Sequence, residues 1–186
     1  MHEILFRGKR TDNHEWVEGS LFQSEGQAAI GENGEFSGCY ILEKEPLDVR
    51  FFMNGNSAFV DNEFIQVSEE TVGQFTALCD KNGKKIFEGD IVVQDSEYCS
   101  EIAAGDTYWD GVERADFFVR RKGIARIYPS KGAVITKQII IEKSINGEYA
   151  AKNEKQQGAC NISQGRCEVI GNIYDNPELM EVESGS

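Results

Sequence analysis

The phrase TVGQFTALCDKNGKKIFEGDIVV, residues 71–93, constrains the fold of this chain more than any other. Two apolar runs rich in β-branched and aromatic residues flank a polar break at Asp80-Lys81-Asn82-Gly83. Asn-Gly suits a two-residue type I′ turn because both residues tolerate positive φ, so the phrase predicts a hairpin of residues 75–78 against 85–93. A glycine inside a strand, here Gly89, marks a bulge or bend that lets a sheet curl.

Strand signals recur on either side. Residues 4–7 and 15–22 read as a pair around Asp12-Asn13-His14, and short strands are expected at 39–42, 49–53 and 64–67. Residues 24–38 read mainly as loop, with a short strand at Ala28-Ala29-Ile30. Residues 94–122 read as irregular, with a short helix over 96–104 stopped by Gly105. Strands follow at 124–128 and 133–143, and Asn146-Gly147 turns the chain into a strand at 148–151. Residues 152–165 read as a polar loop and 168–174 as a last strand. Asn176-Pro177-Glu178 opens a short helix, with Asn176 accepting from otherwise orphaned amides. The order strand, polar turn, apolar-Glu-Gly-polar-apolar occurs twice, ending at Gly19 to Leu21 and at Gly89 to Ile91. The expectation is a mainly β fold of curled antiparallel sheets with few short helices, compatible with two barrel-like β subdomains. These are an N-terminal one over 1–70 and a C-terminal one over 71–180 with an expanded region at 94–165, followed by an acidic tail at 181–186.

Composition excludes some classes. With 40% hydrophobic and 27% charged residues the chain reads as folded rather than disordered. No apolar run approaches the roughly 20 residues of a membrane helix. Met1-His2-Glu3-Ile4 has no basic stretch followed by an apolar one, so the expected location is the cytoplasm. The five cysteines have no metal-type spacing and read as reduced thiols. The net charge is −13, and residues 1–70 carry 14 acidic against 5 basic side chains. That third repels phosphate backbones. Residues 124–186, with 8 against 7, leave room for a local basic patch.

Candidate chemistry is sparse. His2 and His14 are the only histidines, and His14 falls in a turn, where it is a solvated side chain rather than a base held beside a nucleophile. Asp106 to Gly111 imitates the start of a calcium loop but offers Tyr108 and Phe117 where ligands are needed. Glu88 and Asp90, two apart on a strand, share one face and could hold a divalent metal; the plainer reading is the wet side of a half-buried strand. Gly83-Lys84 lacks the rest of a phosphate-binding loop. Arg114, Arg120, Arg121, Lys122 and Arg126, interleaved with Tyr108, Trp109, Phe117 and Phe118, could grip a single strand by charge and stacking, although the overall charge weighs against nucleic acid. No residue is assigned as catalytic, cofactor-binding or metal-ligating, and no cofactor is expected.

Five phrases together carry a resemblance: Leu5-Phe6-Arg7-Gly8-Lys9, Trp16-Val17-Glu18-Gly19, residues 71–76, residues 80–92, and Glu168-Val169-Ile170-Gly171-Asn172-Ile173-Tyr174-Asp175-Asn176-Pro177-Glu178-Leu179. In this order they resemble the YopX family of phage and prophage proteins. The resemblance implies a β-rich fold, a phage or prophage origin and self-association, and it brings no known activity. The function expected is a non-catalytic accessory protein in the host cytoplasm, a homo-oligomer that binds a host or phage protein. The alternatives are a nucleic-acid binder or DNA mimic, and a metal-assisted enzyme using Glu88 and Asp90.

Overall fold

The structure, a computed structural model, describes residues 4–29, 35–43, 64–103, 112–151 and 153–181. It divides into two compact units, Met1–Phe75 and Thr76–Ser186. Strands dominate both, as the alternation of apolar and polar side chains predicts.

The first unit holds β1 (Phe6–Lys9), β2 (Trp16–Ala29), β3 (Glu35–Glu43), β4 (Phe64–Val67), a 3₁₀ turn at Glu69–Thr71 and the start of β5 (Gly73–Cys79). Its strands are antiparallel in the order β4-β3-β2-β1-β5. Val17, Cys39, Ile41, Ile65 and Val67 form its core, with Leu21 and Val72 packed against it. At Gly19 a Cβ would lie 1.8 Å from the Leu42 carbonyl oxygen, so only glycine admits this approach of β3 to β2. Thr71 ties the 3₁₀ turn to β1: its Oγ1 accepts from the Lys9 amide at 2.9 Å and donates to the Ser68 carbonyl at 2.7 Å. Of the loop expected over 24–38, the described residues 24–29 and 35–38 are instead strand. The β2–β3 ladder runs from Gly19↔Glu43 outward to Ala29↔Glu35 through a bulge at Glu25/Ala28, and this cross-strand pairing outweighs the weak strand preference of its Gly, Ser and Gln residues. The strand expected at 49–53 lies outside the described residues.

The second unit continues with β6 (Lys85–Phe87), β7 (Asp90–Ala103), β8 (Val112–Tyr128), β9 (Gly132–Ile145), β10 (Glu148–Ala151), β11 (Glu154–Gln156), β12 (Cys160–Asn161), β13 (Cys167–Asn172) and a 3₁₀ turn at Pro177–Met180. Its main sheet is ordered β10-β9-β8-β7-β13, and β11 and β12 also pair with β9. Ile86, Val92, Ala125, Ile135, Ile162, Cys167 and Val169 are its core.

Three expectations are corrected here. Of the helix expected over 96–104, residues 96–103 are not helical: β7 pairs residue for residue with β8 from Ile91↔Ile124 to Ala103↔Val112, and this ladder overrides a short run of helix formers. The polar loop at 152–165 contains β11 and β12, whose pairing with β9 satisfies their backbone groups despite their polarity. Asn176 does not cap the last turn; its Oδ1 accepts from the Asn172 amide at 3.4 Å instead. The Asn146-Gly147 turn is as expected, with φ of 51° and 79°. Asn146 adds a bond of its own, its Oδ1 accepting from the Asp116 amide at 2.8 Å.

Candidate functional site

The acids of the 80–92 phrase turn inward. Asp80 is 5% exposed, and its Oδ1 accepts from the amides of Asn82 (2.8 Å) and Lys84 (2.9 Å) while Oδ2 accepts from Val169 (3.1 Å). Burial alone would raise its pKa, but the amides of Val169, Lys84 and Asn82 outweigh that and hold it below the usual aspartate value. The turn is therefore not the expected two-residue one. Gly83 donates to the Asp80 carbonyl, Asp80 donates to that of Lys84, and Gly83 at φ 84° is the positive-φ residue of the loop. Lys81 adds a backbone bond to Cys167 and an ion pair with Glu168 at 2.6 Å, so the turn covers the outer edge of β13.

Glu88 and Asp90 do not share a wet sheet face. Gly89, at φ 86°, breaks the strand between β6 and β7. Asp90 is 1% exposed with its Oδ2 accepting from the Phe87 amide at 2.8 Å, and Glu88 accepts from the Ile127 amide at 3.0 Å. Among the described residues no three His, Cys, Asp or Glu side chains gather as metal ligands. His14 is exposed at φ 62°, and Asp106 to Gly111, Tyr108 and Trp109 lie outside the described residues. The five cysteines are free. Burial pushes the Cys160 thiol up against the pull of the nearby Arg121, which opposes thiolate formation.

The basic run on β8 is not one patch. Bulges at Arg120/Arg121 and Lys122/Ile124 re-aim its side chains. Arg120 lies 3.5 Å from Asp95, Arg121 donates to Gln138 Oε1 at 3.2 Å, and Lys122 donates to the Glu181 carbonyl at 3.4 Å. Tyr98 stacks on Phe117, with ring centres 5.0 Å apart and planes 6° from parallel. Arg126 instead lines a cleft of about 790 Å³.

The cleft lies over β8 and β9. Buried Ile124 and Ile139 form its floor, with Ile173, Pro177 and Met180 beside them. Arg126 from β8, Lys137 from β9 and Lys155 from β11 supply three cations, and Gln156 and Gln157 supply amides. No Asp or Glu lines it among the described residues. A bulge builds this wall: Lys122 pairs with Ile139 and Ile124 with Thr136, so Lys137 and Gln138 stand opposite Gly123 alone. Lys137 takes φ 48°, unusual for a non-glycine residue. Gln138, 3% exposed, turns inward and donates to the Gly158 carbonyl at 3.2 Å while accepting from Arg121, which fixes the 157–158 wall to β8. Gly123 permits the bulge, because a Cβ there would stand 2.5 Å from Ile135 Cγ2 and 2.6 Å from the Thr136 carbonyl oxygen. Gly123→Ala is expected to cost about 2–3 kcal/mol in urea unfolding and to speed exchange of the amides around Gln138.

The model of the family described as YopX protein matches residues 5–181. The chain belongs to the YopX family. No curated protein and no solved structure matches it. The match covers both units, and the phrases that carry the resemblance fall on structural joints. In this YopX chain they hold Thr71 between turn and strand, Gly19 under the Leu42 carbonyl, and Asp80 among three amides.

Sequence reasoning picked out Arg126 but missed Lys137, Gln138, Lys155 and Gly123. A signal for the bulge was present: Thr136-Lys137-Gln138 puts three consecutive polar residues between the apolar runs Val134-Ile135 and Ile139-Ile140-Ile141. The meeting of β11 with β8 across β9 depends on register and leaves no local trace.

Proposed function

We propose that this YopX-family protein is a non-catalytic phage or prophage accessory protein of the host cytoplasm, which self-associates and binds a host or phage protein. The observation that supports this best is the use of Asp80, Glu88 and Asp90 as acceptors for backbone amides. Carboxylates so occupied are framework rather than acid–base groups. No helix among the described residues is long and apolar enough to cross a membrane.

Self-association runs through the β7–β8 ribbon. Tyr98, 48% exposed, and Phe117 place two stacked rings on one face, with the Lys143 ammonium 5.9 Å from the Phe117 ring centre. Aromatic pairs of this kind anchor protein interfaces. Sedimentation of the wild-type chain should show dimers or larger species in the micromolar range, and Tyr98→Ser with Phe117→Ser should weaken them at least about tenfold. A wild-type monomer at every concentration, or a double variant that assembles unchanged, refutes self-association through this face.

A further inference from the structure

We propose that the cleft over β8 and β9 binds a nucleotide, with the phosphates held by Arg126, Lys137 and Lys155 and the base lying on Ile124 and Ile139. This goes beyond the protein-binding reading and does not rest on it.

Charge is the first argument. The chain has 32 acidic against 19 basic side chains, yet three cations from three different strands converge on a cleft that no carboxylate lines among the described residues. Cations left facing one another repel, and a polyanion removes that repulsion. Glu154 beside Lys155, Glu178 between the lining residues Pro177 and Met180, and Glu181 directly after Met180 lower the local potential without lining the cleft. The three cations are spread over β8, β9 and β11, which suits several phosphates better than a single carboxylate.

Shape and lining narrow the ligand further. About 790 Å³ lies within the range of small-molecule sites, and the floor is aliphatic, a surface on which a planar base can lie. Gln156 and Gln157 bring amide donors and acceptors, which match the polar edge of a base. Simple polyphosphate would gain nothing from Ile124 and Ile139, and a fatty acid would use only one of the cations.

The wall is built in advance. Lys137 sits at a positive φ that costs free energy for a side chain with a Cβ, and Gly123 and the doubly bonded Gln138 keep it there. A strained lysine held over an apolar floor is a feature expected of a ligand site. The phosphate grip comes from side chains, in agreement with the absence of a glycine-rich phosphate loop in the sequence.

Calorimetric titration of the full chain tests this. ATP should bind, tripolyphosphate more weakly and adenosine more weakly still. Arg126→Gln and Lys155→Gln should each weaken ATP about tenfold, the loss of one charge-assisted contact. Lys131→Gln, at an exposed turn outside the cleft, should change nothing. A thermal melt of each variant confirms that it is folded, and Lys155, exposed on the short strand β11, is the variant least able to disturb the core. Absence of ATP binding at millimolar concentration, or binding unchanged in folded Arg126→Gln and Lys155→Gln, overturns the proposal. Binding of a twelve-residue thymidine strand that these substitutions abolish, with no binding of ATP, overturns it in favour of single-stranded nucleic acid.

Discussion

Urea unfolding of Asp80→Ala is expected to show a loss of about 3 kcal/mol, among the largest effects of any single side chain in the second unit. One carboxylate there satisfies three amides, and the Val169 amide is buried where water cannot replace it. Asp80→Asn should lose roughly half as much, because Oδ1 keeps its acceptor role toward Asn82 and Lys84 while the Val169 amide loses its own. The same group sets a pH dependence. Its folded pKa lies below the unfolded value of about 3.9. The unfolded chain therefore takes up the proton first, and the contribution of Asp80 is fully present above that value. It drains away as pH falls through the folded pKa, so the wild-type urea midpoint should drop below about pH 4 and Asp80→Asn should lack this component of the drop.

Gly19→Ala is expected to be equally severe in the first unit, at about 3 kcal/mol or more. Its Cβ would stand 1.8 Å from the Leu42 oxygen, 2.6 Å from the Leu42 carbonyl carbon and 2.9 Å from Ile41 Cγ2. Two of these are main-chain atoms of β3, so relief requires moving a strand rather than turning a side chain. Amide exchange should show the loss along the Gly19↔Glu43 to Phe22↔Tyr40 ladder. Gly89 occupies the corresponding place in the repeated phrase but serves another purpose, supplying a positive φ between β6 and β7. Two similar stretches of sequence thus need glycine for different reasons, close approach in one and backbone conformation in the other.

What was legible in the sequence was what alternation and turn chemistry encode. Residues 64–67 and 148–151 are strands with the expected bounds, and Asn146-Gly147 makes the expected turn because both φ values are positive. What was not legible was set by partners distant in the chain. Residues 96–103 carry helix-compatible Ser, Glu and Ala, and only the facing strand at 112–119 makes them β. Glu88 and Asp90 looked solvated because alternation was carried straight through Gly89, where the strand in fact breaks. Asp80 looked like an ordinary turn residue because its third donor, Val169, is 89 positions away. The cleft was hidden for the same reason, since Arg126, Lys137 and Lys155 meet only through the registers of β8, β9 and β11.

The claim on which the rest depends is that the carboxylates of the 80–92 phrase build the fold from within. Carbon-detected NMR titration of the Asp80 carboxyl, read together with the amide shifts of Asn82, Lys84 and Val169, tests it most directly. The expected result is a midpoint below about 3.9, with all three amides moving in step with the carboxyl. A midpoint at or above that value, with the three amides indifferent to it, would contradict it.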